Sequence, residues 1–152
     1  MASQEQVPGD LQVVVGYDGS PPSERALDAA VRLLRGRDGR ITVVFVAHPP
    51  SATMLSAAAV VDVEAGFDTM EEDLRASVDK RLHGVEERWG FQRRRGVVAD
   101  ELIAVARDLD TSRPGGFMVI VVGSSSHAMH RVVGSVAVNL ARRAPFPVVV
   151  VP

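Results

Sequence analysis

The sequence predicts an α/β fold in which helices cover both faces of a doubly wound parallel sheet. Several short runs of β-branched residues show almost no polar alternation, as strands buried on both faces require. Helical patterns separate these runs in the order β-α-β-α-β-α-β-α-β, which favours right-handed crossovers and a parallel sheet. A length of 152 residues is enough for one domain with a sizeable core.

Five strands are predicted. Four of them are apolar runs, and the fifth alternates apolar residues with arginine, so we expect it at an edge of the sheet. The apolar runs are Leu11 to Gly16, Ile41 to Val46, Phe117 to Val122 and Val148 to Val151, and the alternating segment is Phe91 to Val97. The three successive arginines, 93–95, are interpreted as a solvated edge and not as a nucleic-acid contact.

Four helices are predicted between the strands. The first follows Ser20 as its N-cap, has proline at its first position and ends near Gly36. The second is expected from Asp68 to Trp89, where apolar residues recur at helical spacing. The remaining two are Asp100 to Leu109 and Gly134 to Arg143.

The segment from Ala47 to Gly66 is rich in Ala, Val, Ser and Pro, and it is expected to be a long loop or flap. Loops of this length are uncommon inside compact domains and are often functional. Two interpretations stay open: a flap that packs its own apolar residues, and a lid or partner surface. Residues 1–9 are expected to form a flexible tail, and residues 10–152 the domain.

Composition narrows the classes of partner and chemistry. A net charge of -2 gives no overall positive field, so we expect neither nucleic acid nor a membrane surface as partner. The absence of cysteine excludes disulfides, thiol chemistry and Cys-based zinc sites. The first residues lack the basic region of a secretory signal, and prolines interrupt the longest uncharged run. The expected location is the cytoplasm.

Loops of small residues follow the first and fourth strands, at Gly16 to Ser20 and at Gly123 to Ser126, and Gly134-Ser135 opens the last helix. Ligands of open α/β sheets bind beyond the carboxyl ends of the strands, where the strand order reverses. Backbone N–H groups and the helix dipole at such a point favour an anion, typically phosphate. Asp18 could accept hydrogen bonds from a ribose or a base; a turn or cap role is the alternative.

These segments together resemble the universal stress protein family (the UspA-type domain) over about residues 10–152. The matching motifs are Val13 to Ser20, Val43 to Val46, Val119 to Ser124, Gly134 to Ala137 and Ala144 to Val151. The resemblance implies a Rossmann-like, five-stranded parallel sheet in the order 3-2-1-4-5, often dimerised through the last strand. It also implies a regulatory module of the stress response that binds ATP or AMP, with magnesium accompanying ATP, and that has at most weak ATP hydrolysis.

Nucleotide-binding members share a Gly-x2-Gly-x9-Gly-Ser/Thr motif, from which this chain departs. Gly123 and Gly134-Ser135 match, but Ser126 replaces the second glycine and only seven residues separate it from Gly134. Serine restricts the close backbone approach and positive φ that glycine allows. Arg131 or the hydroxyls of Ser124 to Ser126 could compensate.

The resemblance assigns expected contacts residue by residue. Asp18 would contact ribose or adenine, and the Val46 backbone would meet the adenine edge. Gly16 and Tyr17 would flank the base more loosely. The positions expected to line ribose and phosphates are Gly123, Ser126, Gly134, Ser135 and Val136, with Ser124 and Arg131 as supporting contacts.

Three classes of function are therefore compared: a nucleotide-binding regulatory module, an interaction protein that binds no nucleotide and acts through its dimer and the 47–66 flap, and an enzyme. The serines at 124–126, His127, His130 and Asp18 invite a hydrolase interpretation. The Gly-x-Ser-x-Gly elbow is missing, however, and the histidines lack metal-ligand spacing. We predict neither catalytic residues nor metal ligands.

The last strand, Val148 to Val151, lies between Pro147 and Pro152 and is very apolar. An exposed edge of this kind promotes aggregation unless another strand covers it. Pairing with the same strand of a second copy would cover it with two-fold symmetry, so we expect a homodimer.

Overall fold

A computed structural model describes residues 10–48, 56–85, 88–124 and 134–152. Strands and helices alternate along these residues as β1 (Leu11–Gly16), α1 (Pro21–Leu34), β2 (Gly39–Ala47), α2 (Ala57–Arg81), β3 (Trp89–Arg95), α3 (Val98–Ser112), β4 (Phe117–Gly123), α4 (Ser135–Arg143) and β5 (Val148–Val151). The predicted tail, residues 1–9, lies outside the described residues.

The five strands form one parallel sheet in the order β3-β2-β1-β4-β5. The predicted fold class and strand order are confirmed. Because β2 and β4 flank β1 on opposite sides, the strand order reverses at β1. The carboxyl ends of β1 and β4 therefore open the crevice in which doubly wound sheets bind ligands.

Alternate residues of the strands face two separate cores, one on each side of the sheet. Val13 and Val15 of β1 pack beneath α1 and α2, whereas Val14 packs beneath α3 and α4. All three are at most 1% exposed, which explains why β1 has an apolar run without polar alternation.

The second predicted helix is the largest error in element assignment. Helix α2 ends at Arg81, and Trp89 is the first residue of β3 instead of the last residue of a helix. Gly84, at φ +100°, lies in the connection. Val85 and Trp89 fit helical spacing only because both pack against the core that α2 also covers. The other predicted elements are found with ends shifted by at most three residues.

The predicted loop at 47–66 is also partly wrong, because residues 57–66 form the first turns of α2. Ser56 caps this helix: its Oγ accepts a hydrogen bond from the N–H of Ala59 at 3.2 Å. No apolar stripe marks these turns, since the buried residues of α2 are Leu74 and Val78, much further along. The rest of the predicted loop, 49–55, lies outside the described residues.

Ion pairs hold the first half of α2 against the edge strand β3. Arg93 contacts Asp68 at 2.5 Å, Glu71 at 3.1 Å and Glu64 at 3.4 Å, and Arg95 also contacts Glu64. Each exposed pair contributes about 0.2–1 kcal/mol. The arginines predicted as a solvated edge thus form an acid–arginine network that covers this edge of the sheet.

One polar side chain in the described part of the chain is buried without a hydrogen-bond partner. Gln12 of β1 is 2% exposed, and neither its Nε2 nor its Oε1 has a hydrogen-bond partner among the described residues. A buried amide without hydrogen bonds costs about 1–3 kcal/mol. This cost falls at the amino end of β1, far from the carboxyl-end crevice.

We expect Gln12→Met to raise the free energy of unfolding by about 1 kcal/mol, because methionine fills a similar volume and buries no polar group. Urea denaturation followed by circular dichroism measures the change. Gln92→Met on the half-buried edge strand β3 is the matched control and should change stability little. A clear loss of stability in Gln12→Met would show that the amide is satisfied.

Candidate functional site

A cavity of about 260 Å³ lies at the carboxyl ends of β1, β2 and β4. Its wall also includes the start of α1 and the first turn of α4. The lining residues are Gly16, Tyr17, Asp18, Ser20, Ser23, Val44, Val46, Val98, Val122, Gly123, Ser124, Gly134, Ser135, Val136 and Ala137. The cavity therefore occupies the switch point at which the sequence predicts a ligand.

Every predicted site residue that the structure describes lines this cavity. These residues are Gly16, Tyr17, Asp18, Val46, Gly123, Ser124, Gly134, Ser135 and Val136. The other two predicted residues, Ser126 and Arg131, lie outside the described residues, as do His127 and His130. Segments far apart in sequence are thus brought to one place, as the prediction requires.

The sequence argument missed the apolar floor and part of the polar rim. Val44, Val98 and Val122 form the floor together with Val46, and Ser20 and Ser23 lie on the rim. A period-two pattern could have found one of them, since Val44 lies two residues before Val46 and points to the same face of β2. Ser20 is the N-cap of α1 and Ser23 lies in its first turn, where the sequence indicated only a cap.

Asp18 closes a turn through its hydrogen bonds and carries an ionised carboxylate. Its Oδ1 accepts hydrogen bonds from the Ser20 N–H at 3.0 Å and from the Ser20 hydroxyl at 2.5 Å. Desolvation raises the pKa of Asp18, but hydrogen bonds from Ser20 and Ser23 outweigh it and hold the pKa below its usual value. The side chain is therefore anionic at neutral pH, and both hydrogen bonds from Ser20 go to Oδ1.

Ser23 stiffens the loop that carries Asp18. Its hydroxyl accepts a bond from the Asp18 N–H at 3.4 Å and donates to the Ser20 carbonyl oxygen at 2.9 Å. The side chain is 5% exposed, so these bonds are largely shielded from water. Residues 18–23 thus form a closed hydrogen-bonded turn that fixes the carboxylate at the cavity rim.

The Tyr17 side chain points away from the cavity. It is 3% exposed in the core beneath α1 and α2, and its hydroxyl lies 3.1 Å from Ser77 Oγ of α2. The phenol therefore anchors the backbone next to Asp18 to that face of the sheet.

The backbone of Val46 is open toward the cavity. In parallel strands, the N–H and C=O of alternate residues point to the same neighbour. Val44 points to β1, since its carbonyl accepts the Tyr17 N–H at 2.9 Å. The backbone groups of Val46 point to the same side as those of Val44. The pairing of β1 with β2, however, ends at Gly16 and Val44. The N–H and C=O of Val46 therefore face the cavity beyond the end of β1.

The first turn of α4 supplies the opposite wall. The N-cap, Gly134, offers no side-chain bond to the first N–H groups, and Ser135, Val136 and Ala137 line the cavity. N–H groups in a first helical turn lack partners within the helix and carry the positive end of the helix dipole. This wall is suited to a negatively charged group.

Ser124 is tied to the neighbouring strand. Its N–H donates to the Val151 carbonyl oxygen at 2.7 Å, so this N–H is not available to a ligand. Strand β5 thereby fixes one edge of the cavity.

Gly123 is required by packing. A Cβ at this position would lie 2.4 Å from the carbonyl carbon of Pro22 and 2.5 Å from its oxygen. The first turn of α1 approaches β4 this closely only because residue 123 has no side chain. Gly123 therefore sets the distance between two walls of the cavity, whether or not it also contacts a ligand.

The universal stress protein family model matches residues 11–152. The chain belongs to the universal stress protein family. Among curated relatives, universal stress protein YxiE of Bacillus subtilis (strain 168) is 27% identical over 147 residues, which cover 92% of this chain and 97% of YxiE. The recognition made from the sequence motifs is confirmed.

Solved structures of universal stress proteins share the fold. UspA from Lactobacillus plantarum superposes with a TM-score of 0.73 at 19% identity, covering 95% of this chain and 99% of that one. A universal stress protein in complex with cAMP superposes with a TM-score of 0.62 at 23% identity, covering 93% of this chain and 97% of that one.

The described part of this universal stress protein shows two further absences. No cluster of three or more His, Asp or Glu side chains in it could hold a metal ion. None of its helices is both long and apolar enough to span a bilayer.

We expect Gly123→Ala to lower the free energy of unfolding by about 1–3 kcal/mol, because the added methyl forces α1 away from β4. Chemical denaturation measures the change. Gly66→Ala is the matched control: this glycine is in α2, and a Cβ there meets nothing within 4 Å. That control should gain up to about 1 kcal/mol from helix propensity. Equal stabilities for the two variants would contradict the packing argument.

Proposed function

We propose that this universal stress protein binds an adenine nucleotide in the cavity and acts as a regulatory module of the stress response with little or no turnover. The observation that carries the proposal is the composition of one cavity: an apolar floor, an open strand backbone, an ionised carboxylate and an uncapped helix N-terminus. A nucleotide offers a matching group to each of them.

The base is assigned to the floor. An adenine ring packs against apolar side chains, here Val44, Val46 and Val98, and exchanges hydrogen bonds along its edge with backbone groups. The open N–H and C=O of Val46 supply one donor and one acceptor, which complement the adjacent ring nitrogen and amino group of adenine.

The ribose and phosphate are assigned to the polar rim. Ribose hydroxyls donate hydrogen bonds, and the second carboxylate oxygen of Asp18 can accept them. The phosphate is placed at the first turn of α4, where Gly134 and Ser135 present N–H groups and a hydroxyl. Ser126 and Arg131, which the motif comparison adds to this end, lie outside the described residues.

The cavity favours a monophosphate over ATP with magnesium. A volume of about 260 Å³ is small for a ligand site. Among the described lining residues, Asp18 is the one charged side chain, and its charge is negative. AMP and cAMP leave less phosphate charge to neutralise than ATP does. A structural relative solved with cAMP supports the same ligand class.

The second candidate is an interaction protein that binds no nucleotide and acts through its dimer and the segment 47–66. Its support is the exposed apolar surface on the first turns of α2, where Val60 is 43% and Val61 67% exposed. The replacement of a motif glycine by Ser126 also favours it. Both candidates are consistent with a cytoplasmic location, which we propose together with them.

In a calorimetric titration, the nucleotide-stripped protein should bind AMP, cAMP or ATP. Asp18→Asn should weaken binding about tenfold or more, because a hydrogen bond to a charged acceptor contributes about 1.5–3 kcal/mol. Asparagine keeps an oxygen for the Ser20 bonds, so the turn is retained. Asp110→Asn, an exposed aspartate of α3, is the matched control and should bind as the unmodified protein does.

Thermal unfolding provides the independent readout. A ligand at 100 times its dissociation constant stabilises the fold by roughly 2.7 kcal/mol, which raises the melting temperature. Neither heat nor stabilisation at millimolar concentrations of all three nucleotides would reject the nucleotide site and favour the interaction protein.

We also propose a homodimer through β5. The four valines of this edge strand are half-buried in the single chain. The N–H of Ser124 donates to the carbonyl of Val151, and the N–H of Ile120 donates to the carbonyl of Pro147. The backbone groups of the odd-numbered residues in this segment therefore point to β4. By alternation, the N–H and C=O of Val148 and Val150 point outward, where a second copy can pair with them.

Light scattering at micromolar concentration should therefore give the mass of two chains. Val150→Pro removes one outward N–H and should shift the protein toward monomer. Circular dichroism checks that the variant is folded. A monomeric unmodified protein would contradict the proposed interface.

A further inference from the structure

A second cavity of about 250 Å³ lies next to the first, between the start of α3 and helix α4. Val98, Ser135 and Val136 line both cavities. The remaining wall of the second cavity includes His48, Val97 and Asn139. Neither the sequence motifs nor the adenine site assigns any role to these three residues.

We propose that the second cavity binds a second nucleoside, so that the preferred ligand is a dinucleotide whose two nucleosides are joined through phosphate. The proposal rests on the proposed function, since the first cavity must hold the first nucleotide. The two cavities adjoin each other and share three lining residues, as two nucleoside halves of one ligand require.

The position of the shared wall determines which end of the nucleotide points to the second cavity. Ser135 and Val136 belong to the first turn of α4, where the phosphate is placed. A group attached beyond that phosphate therefore passes over this turn and reaches the second cavity. Val98, the third shared residue, belongs to the floor assigned to the base, so both halves of a bridged ligand would pack against it.

Two polar side chains in the second cavity are placed to bind the edge of a base or a ribose. The Nδ1 of His48 lies 3.0 Å from the carbonyl oxygen of Gly96. Because a carbonyl oxygen only accepts, Nδ1 carries the proton, and Nε2 is left as an acceptor in the neutral ring. Asn139 lies one helical turn after Ser135, on the same side of α4, and its amide offers both donors and an acceptor.

The rest of the lining favours a nucleoside over a longer phosphate chain. Val97, Val98 and Val136 provide apolar surface for a ring. The described lining residues include neither lysine nor arginine. A triphosphate tail would require more positive charge than this wall supplies.

Calorimetric titration with AMP and with two adenosines joined by two or three phosphates, which carry less charge than ATP, tests the proposal. At least one bridged ligand should bind about tenfold or more tightly than AMP. Asn139→Trp fills the second cavity, and His48→Ala removes its imidazole. Both variants should bind the bridged ligand no more than about threefold more tightly than AMP, with AMP affinity unchanged.

His83→Ala is the matched histidine control. This exposed residue lies between α2 and the amino end of β3, whereas the second cavity lies beyond the carboxyl end of β2, so the substitution should leave both affinities unchanged. Bridged ligands that bind no more tightly than AMP would overturn the second site alone. The second site would also be overturned if His48→Ala and Asn139→Trp still bound the bridged ligand about tenfold more tightly than AMP. Failure of the unmodified protein to bind AMP and the bridged ligands would instead reject the proposed function and the second site together.

Discussion

The candidate site depends on where strand β1 stops. β1 pairs with β2 as far as Gly16, but β2 continues to Ala47, so the last residues of β2 keep only one neighbouring strand. The open backbone of Val46 is the direct consequence. On its other side, β1 pairs with β4 as far as Val15 and Val121, and the chain then leaves the sheet through the turn of Asp18. One strand end thus creates both the floor and the rim of the cavity.

Several residues of the family motif have structural roles that do not require a ligand. Gly123 allows the first turn of α1 to approach β4, and Asp18 closes a turn with Ser20. Their presence alone is consequently weak support for nucleotide binding. Stronger support comes from groups for which packing gives no reason: the backbone of Val46 and the start of α4, neither of which has a capping or pairing partner among the described residues.

Most of the fold was predictable because its signals are local. Runs such as Leu11 to Gly16 are buried on both faces, and the order of strands and helices follows from them. The start of α2 was not predictable, because its first turns bury little apolar surface and are held by ion pairs with β3. Residues such as Glu64 and Arg93 are distant in sequence, so no local pattern shows that they pair. The loop residues of the candidate site were predictable from their motifs. The valines of its floor were not, because a single sequence does not show which face of each strand is turned to the cavity.

The edge strand β5 connects two parts of the proposed function. On its inner side, the carbonyl of Val151 holds the N–H of Ser124 at the cavity, and the Nε of Arg25 of α1 donates to the Pro152 carbonyl oxygen at 2.7 Å. On its outer side, Val148 and Val150 present the groups that the proposed dimer would pair. Pairing there would restrain β5 and, through these two bonds, both Ser124 and helix α1, which Ser20 caps and whose first turn contains Ser23. Because coupling free energies are reciprocal, a ligand that orders this rim would also stabilise the strand on which the dimer forms.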